Sequence, residues 1–165
     1  MEICKYPDPV LRKRAEEVVT IDEDIQSLIQ KMSDTMYQFS GIGLAANQVG
    51  VPKRIIVFDI NWREKGSDPH ILINPTIVSA EETIAFEEGC LSVPDFTGEI
   101  TRKKYIKVKG LDRHGNPVDM DAEDLTAICI AHEIDHLDGK LILDHVSHLK
   151  RNLYKRKMKK LMKKE

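Results

Sequence analysis

Apolar residues recur every three or four positions from 22 to 39, where Ile25, Leu28, Ile29, Met32, Met36 and Phe39 fall on one face. That spacing predicts an amphipathic helix of about five turns, with Asp22 as its N-cap and its stripe turned to the core. The rhythm then changes. Gly41-Ile-Gly-Leu-Ala-Ala-Asn-Gln-Val-Gly50 is too apolar for a solvated loop and has three glycines, so it calls for tight backbone conformations. Arg54–Ile60 reads as a buried strand by its β-branched content. A polar loop from Asn61 to Pro69 separates it from a second strand, Ile71–Asn74, which Pro75 is expected to stop. Thr76–Phe86 suits a further hairpin arm. Lys104–Leu111 alternates as a half-buried strand, Asp112–Pro117 is a turn, and Val118–Met120 begins the return strand. Leu125–Gly139 is helical and ends on a glycine, with Asp121 or Asp124 near its start. Residues 5–18 suggest an extended arm with one helical turn, and a basic amphipathic helix occupies about 146–164. The elements predict an α+β fold, with antiparallel or mixed sheets packed around a central helix between an N-terminal helix and a C-terminal basic one.

The length of 165 residues suits a single catalytic domain over 1–165, with the basic helix as an appendage. No run approaches the ~20 apolar residues of a membrane helix, and the N-terminus lacks the apolar segment of a signal peptide. These features predict a cytoplasmic protein without membrane contact. No strongly apolar exposed stripe asks for a partner copy, so a monomer is expected. Three cysteines, Cys4, Cys90 and Cys129, at wide spacings argue against a disulfide framework and leave each free to act as a ligand or nucleophile. Net charge is only −2, yet nine lysines and arginines lie between Lys150 and Lys164 with no acid among them. The rest of the chain is therefore clearly acidic, and the tail is the part suited to a polyanion.

The central helix contains His132-Glu-Ile-Asp-His136. Histidines four apart stand one turn above each other, so their nitrogens can converge on one ion, with Glu133 placed to handle the proton of a bound water. Two histidines do not complete a tetrahedral site. The third ligand is best sought among cysteines and acids outside the helix, and Cys90 is the strongest candidate, because Gly89 permits close backbone approach. Cys-His-His plus water is a catalytic arrangement rather than a structural one. Cys129, on the same helix, reads as a small apolar wall residue, and Cys4 as uninvolved. His70, His114, His145 and His148 have surface-like surroundings. A zinc endopeptidase with this helix would take its third ligand downstream, where only His145 and His148 stand at short range.

Gly41-Ile-Gly-Leu-Ala-Ala-Asn-Gln48, Glu88-Gly-Cys-Leu-Ser92 and His132-Glu-Ile-Asp-His136 resemble, in order and spacing, the three motifs of peptide deformylases. Tyr6–Arg12, Ile73-Asn-Pro75 and Leu137-Asp-Gly-Lys140 extend the likeness over nearly the whole chain, in the compact bacterial form. The resemblance implies a metal-dependent amidase that removes formyl from N-formylmethionine on nascent peptides and releases formate. By this resemblance Cys90, His132 and His136 hold one divalent ion, ferrous iron in the cell, with zinc, nickel or cobalt able to take its place. A metal-bound hydroxide attacks the formyl carbon, and Glu133 serves as general base and then acid. Gln48 and the Leu91 N–H match the oxyanion-stabilising positions, and Gly43 and Leu44 match a segment that pairs with the substrate backbone.

Leu125, Ile128 and Cys129 precede His132 by seven, four and three residues, so with Ile42 they should form an apolar slot for the methionine side chain. Glu88 and Arg102 match an ion pair that braces the cysteine loop. The basic tail resembles the helix through which bacterial members approach the ribosome. Three positions depart from the family pattern, Asn47, Thr97 and Ala131, and none is a ligand.

Overall fold

The computed structural model describes residues 1–164. Helix α1 (Glu23–Gln38) forms where the periodicity predicts it, and Asp22 Oδ1 accepts the Ile25 N–H at 3.0 Å, so the predicted cap is real. Strand β1 (Gly43–Ala45) follows, then a 3-10 turn over Ala46–Val49, strand β2 (Ile55–Phe58) and the single helical turn α2 (Trp62–Lys65). The longest strands, β3 (His70–Cys90) and β4 (Val93–Leu111), form one hairpin, and β5 (Pro117–Glu123) leads into helix α3 (Asp124–Leu137). A 3-10 turn at Ile142–His145 precedes helix α4 (His148–Met162), which Ser147 caps. A further 3-10 turn at Pro9–Arg12 answers the helical turn expected in the N-terminal arm.

The strands make one antiparallel sheet in the order β1-β2-β3-β4-β5. No mixed sheet is needed. Because β5 pairs with β4 only from Tyr105 to Leu111, the β3–β4 pair runs on beyond the sheet as a two-stranded ribbon. Its tip is a two-residue turn, Leu91-Ser92, flanked by the Cys90–Val93 pair. Inward positions of the ribbon alternate: Phe96, Gly98, Ile100 and Arg102 are all buried, so a cation occupies a row otherwise apolar or small.

Pro75 does not stop the second strand. It lies in a register shift between Ile73 and Thr76, where Asn74 adopts φ 51° and its side-chain amide pairs with both backbone groups of Val18. The bulge absorbs the missing N–H and the strand continues. Asp121 likewise belongs to β5 rather than to the helix start, and Asp124 is the first helical residue.

Three apolar clusters surround α3 and α1. One packs Ala127, Ile130, Ile134 and Leu137 of α3 against Ile56, Phe58, Ile106 and Val108 of the sheet. A second joins α1 to the other face of β2. The third gathers the ribbon tip, the N-terminal arm, the 142–145 turn and Tyr154 of α4. Tyr154 is 4% exposed, lies edge-on to Phe96 and donates to the Pro94 carbonyl at 2.9 Å. Tyr154 and the partly buried Met158 therefore tie α4 to the core, while its lysines and arginines from Lys155 on are exposed.

Candidate active site

The ribbon tip delivers Cys90 to α3, and the three ligand atoms of Cys90, His132 and His136 all lie within 4.8 Å of one another. Cys90 Sγ is 3.3 Å from His136 Nε2. Donors held at ~2.0–2.3 Å around a tetrahedral ion stand about 3.5 Å apart, so the separation suits a shared cation. Among the described residues this is the one such cluster, which removes the downstream ligand that an endopeptidase would need. His145 is instead engaged by Asp135 at 2.7 Å.

The titratable groups of the cluster act strongly on one another. Burial alone would raise the Cys90 thiol, but His136 and His132 outweigh it and hold the group well below its ordinary range. That direction favours the thiolate, the form that binds metal. Burial would lower His132, but contact with Cys90 and Glu88 raises it well above the usual imidazole value. Glu88 Oε1 meets His132 Nδ1 at 2.8 Å, which leaves Nε2 free to face the cluster. Glu88 is in turn gripped by Arg102 Nε and Nη2 at 2.7 and 2.9 Å, so the predicted Glu88–Arg102 brace is present and buried. Burial acts to raise the Glu88 carboxyl, yet His132 and Arg102 hold it low.

Glu133 is buried next to the cluster, and desolvation raises its carboxyl pKa despite the opposing pull of His132 and His136. Its Oε2 has no hydrogen-bond partner among the described residues, an expensive state for a buried oxygen unless something else meets it. Gly43 of β1 lies against this carboxylate. A Cβ on Gly43 would come 2.7 Å from Glu133 Oε1 and 2.7 Å from Cys129 Sγ.

Gln48 is buried on the 3-10 turn after β1. Its Oε1 accepts the Ala45 N–H at 2.9 Å, which forces Nε2 toward Cys90 Sγ at 3.6 Å and Ser92 Oγ at 3.1 Å. Leu91 occupies the first position of the tip turn beside it. A cavity of roughly 460 Å³ opens from this point, walled by Ile42, Gly43, Leu125, Ile128, Cys129 and Leu91. The expected pocket residues are therefore brought together, with one exception. The Leu44 side chain is buried in the core under α1, so only its backbone, on the edge strand β1, faces outward.

Ser92, Asp135, Arg63 and Phe86 went unpredicted. Ser92 fixes Gln48, and Asp135 takes Arg102 Nη1 at 2.8 Å. Arg63 and Phe86 stand on the cavity rim. Asp135 sits inside the histidine motif, but its partners come from distant segments and leave no local signal. Of the departures, Asn47 is buried and donates to the Lys13 carbonyl at 2.8 Å, Thr97 is exposed on the ribbon, and Ala131 is half-buried.

The family model described as polypeptide deformylase matches residues 1–152. This chain belongs to that family. The deformylase of Thermodesulfovibrio yellowstonii is 52% identical over 159 residues, 96% of either chain. That of Alkalilimnicola ehrlichii is 47% identical, covering 98% of this chain and 90% of its own. The crystal structure of a peptide deformylase from Legionella pneumophila superposes with a TM-score of 0.90 at 45% identity, covering 99% and 98%. An Ehrlichia chaffeensis deformylase in complex with actinonin gives 0.90 at 40% identity, covering 97% and 96%. The chain is accordingly a metal-dependent hydrolase that removes formyl groups from nascent peptides, and Cys90, His132 and His136 are a cluster that could hold a metal ion.

Proposed function

We propose that the formyl amide of N-formylmethionyl peptides is hydrolysed beside Cys90, His132 and His136, with Glu133 moving the proton. The observation that carries this assignment is the unpartnered, buried Glu133 Oε2 at the edge of a thiolate–imidazole cluster. One sulfur and two imidazole nitrogens form a donor set of borderline softness that suits Fe2+, Zn2+, Ni2+ or Co2+, and we assign Fe2+ in the cell. A divalent ion held by these residues would supply Lewis acidity and make water easier to deprotonate.

The chain's own groups do the rest. Glu133, made more basic by burial, takes the proton from water and returns it to the departing methionyl amine. Gln48 Nε2, held in place through its own oxygen by Ala45, and the Leu91 N–H at the tip turn stabilise the developing oxyanion, a contribution of ~3 kcal/mol per donor. Gly43 and Leu44 offer the free edge of β1 to the substrate backbone, and Ile42, Leu125, Ile128 and Cys129 receive the methionine side chain. Actinonin, bound by the Ehrlichia chaffeensis relative, is expected to occupy the same cleft.

The test is formate release from formyl-Met-peptide by iron-loaded protein prepared without oxygen. Glu133→Ala should retain metal and lose turnover. Full activity of that variant would remove the proton-transfer role.

A second reading concerns α4. Lys155, Arg156, Lys159, Lys160 and Lys163 are exposed, and a cationic helix favours phosphate, which supports docking of the outer turns on the ribosome. We further assign the protein to the cytoplasm, acting as a monomer on nascent peptides. A truncation at Lys150 would also remove the core residue Tyr154, so the cleaner probe is charge reversal at Lys155, Lys159 and Lys163. Ribosome co-sedimentation should fall, and more steeply as salt rises. Unchanged binding would end this reading.

A further inference from the structure

A metal ligand is linked to the protein surface by an unbroken run of five side chains. His132 Nδ1 meets Glu88, Glu88 takes two donors of Arg102, Arg102 Nη1 reaches Asp135 Oδ2 at 2.8 Å, and that oxygen meets His145 Nε2 at 2.7 Å. Arg102 thus stands between two carboxylates, each with a histidine on its far side. One guanidinium cannot neutralise two carboxylates in a poorly solvated row, so each acid needs its second partner. For Asp135 the second partner is His145.

His145 does not arrive there by a loose contact. It closes the 3-10 turn whose Ile142 and Leu143 are buried in the ribbon-tip cluster. Asp144 pins the turn by accepting the Leu141 N–H at 2.9 Å and pairing with Arg12, and Arg151 of α4 donates to the Leu143 carbonyl at 2.9 Å. Packing therefore delivers the imidazole to Asp135. Without it, Asp135 draws on Arg102 alone and competes with Glu88 for the guanidinium. Glu88 in turn sets the ring orientation of His132.

We propose that His145 is a positioning residue for the metal ligand His132, acting through Asp135, Arg102 and Glu88. The assignment rests on the reading of Cys90, His132 and His136 as the metal centre. It extends the support of that centre from the helix motif to a separate turn near the C-terminus.

Cobalt-loaded full-length protein provides the test, with two readouts besides turnover: the visible ligand-field bands and the rate of cobalt release to a chelator. Supports of this kind alter metal affinity by ~10–100-fold when they touch the ligand directly, and three side chains stand between His145 and His132. His145→Ala is expected to release cobalt about threefold to tenfold faster and to shift the bands. His145→Gln, which keeps a donor for Asp135, should return both readouts to within about twofold of the parent. Asp135→Asn should exceed the alanine variant. Arg12→Ala loosens the same turn without touching the row, and its cobalt should behave as in the parent. If His145→Ala matches the parent in band position and release rate, the assignment is wrong. Equal acceleration by Arg12→Ala overturns it too, since the effect would then be general loosening. A parent protein that fails to bind one cobalt defeats the metal reading itself, and the positioning role with it.

Discussion

Gly43→Ala isolates what close approach at β1 does for catalysis. The residue has no positive φ, so alanine is locally tolerable and the conflict is purely steric. Its Cβ would lie 2.7 Å from Glu133 Oε1 and from Cys129 Sγ, and 3.0 Å from Glu133 Cγ, whereas ordinary contact begins at 3.4 Å. Something must therefore move by about 0.7 Å. The Cys129 side chain can swing aside, but Glu133 contacts the new methyl at two atoms, one on its stem, so rotating the carboxylate alone does not clear it. A displacement approaching 1 Å at a proton-transferring group costs up to ~100-fold in rate. The overpacking itself costs ~1–3 kcal/mol of stability. We expect kcat for formate release from formyl-Met-Ala-Ser to fall about 10- to 100-fold with full metal content. Adding Cys129→Ala should recover stability but not kcat, because it removes only the sulfur from the conflict. A Gly43→Ala enzyme with kcat within twofold of the parent would refute the steric coupling of β1 to Glu133.

Three further outcomes follow from the same geometry. Arg102→Ala leaves Glu88 and Asp135 without their shared cation and should cost ~3–5 kcal/mol in urea unfolding of the metal-free protein; a loss under 1 kcal/mol would mean the row relaxes freely. Burial raises the Asp135 carboxyl, but His145 and Arg102 outweigh it and bring it to about 2. A depressed acid contributes stability above its ordinary pKa and loses it as pH falls through the folded value, so on the order of 2 kcal/mol should disappear between roughly pH 4 and pH 2, and Asp135→Asn should flatten that segment of the pH–stability curve. Gln48→Ala should lower kcat by ~100-fold or more with little change in metal content, measured by single-turnover formate release.

Much of this architecture was legible in the chain because its determinants are local. Asp22 and a regular stripe suffice to define α1, and the paired histidines of α3 are meaningful only at helical spacing. Cys90 was legible for a different reason: two imidazoles leave a coordination deficit that a thiol in a glycine-bearing segment can fill. What escaped depends on long-range pairing. Pro75 reads as a strand end until Asn74 is seen turning to positive φ and bonding Val18, 56 residues away. Tyr154 belongs by local composition to a solvated basic helix, yet Phe96 and Pro94 of the ribbon draw it inside. Asp135 looks like motif filler, and only the fold brings it Arg102 from β4 and His145 from the far turn.

Strand β1 carries one more consequence. It is a border of the sheet, paired to β2 on one side only, and its other rim is where the substrate backbone is expected to lie. A rim able to accept a formylated peptide could equally accept a strand from a misfolded neighbour, which is how sheets grow into aggregates. Three paired residues are too few to template such growth, and the 3-10 turn at Ala46 bends the chain away at once. The brevity of β1 can thus be understood as a compromise: long enough to align a tripeptide, too short to recruit a protein.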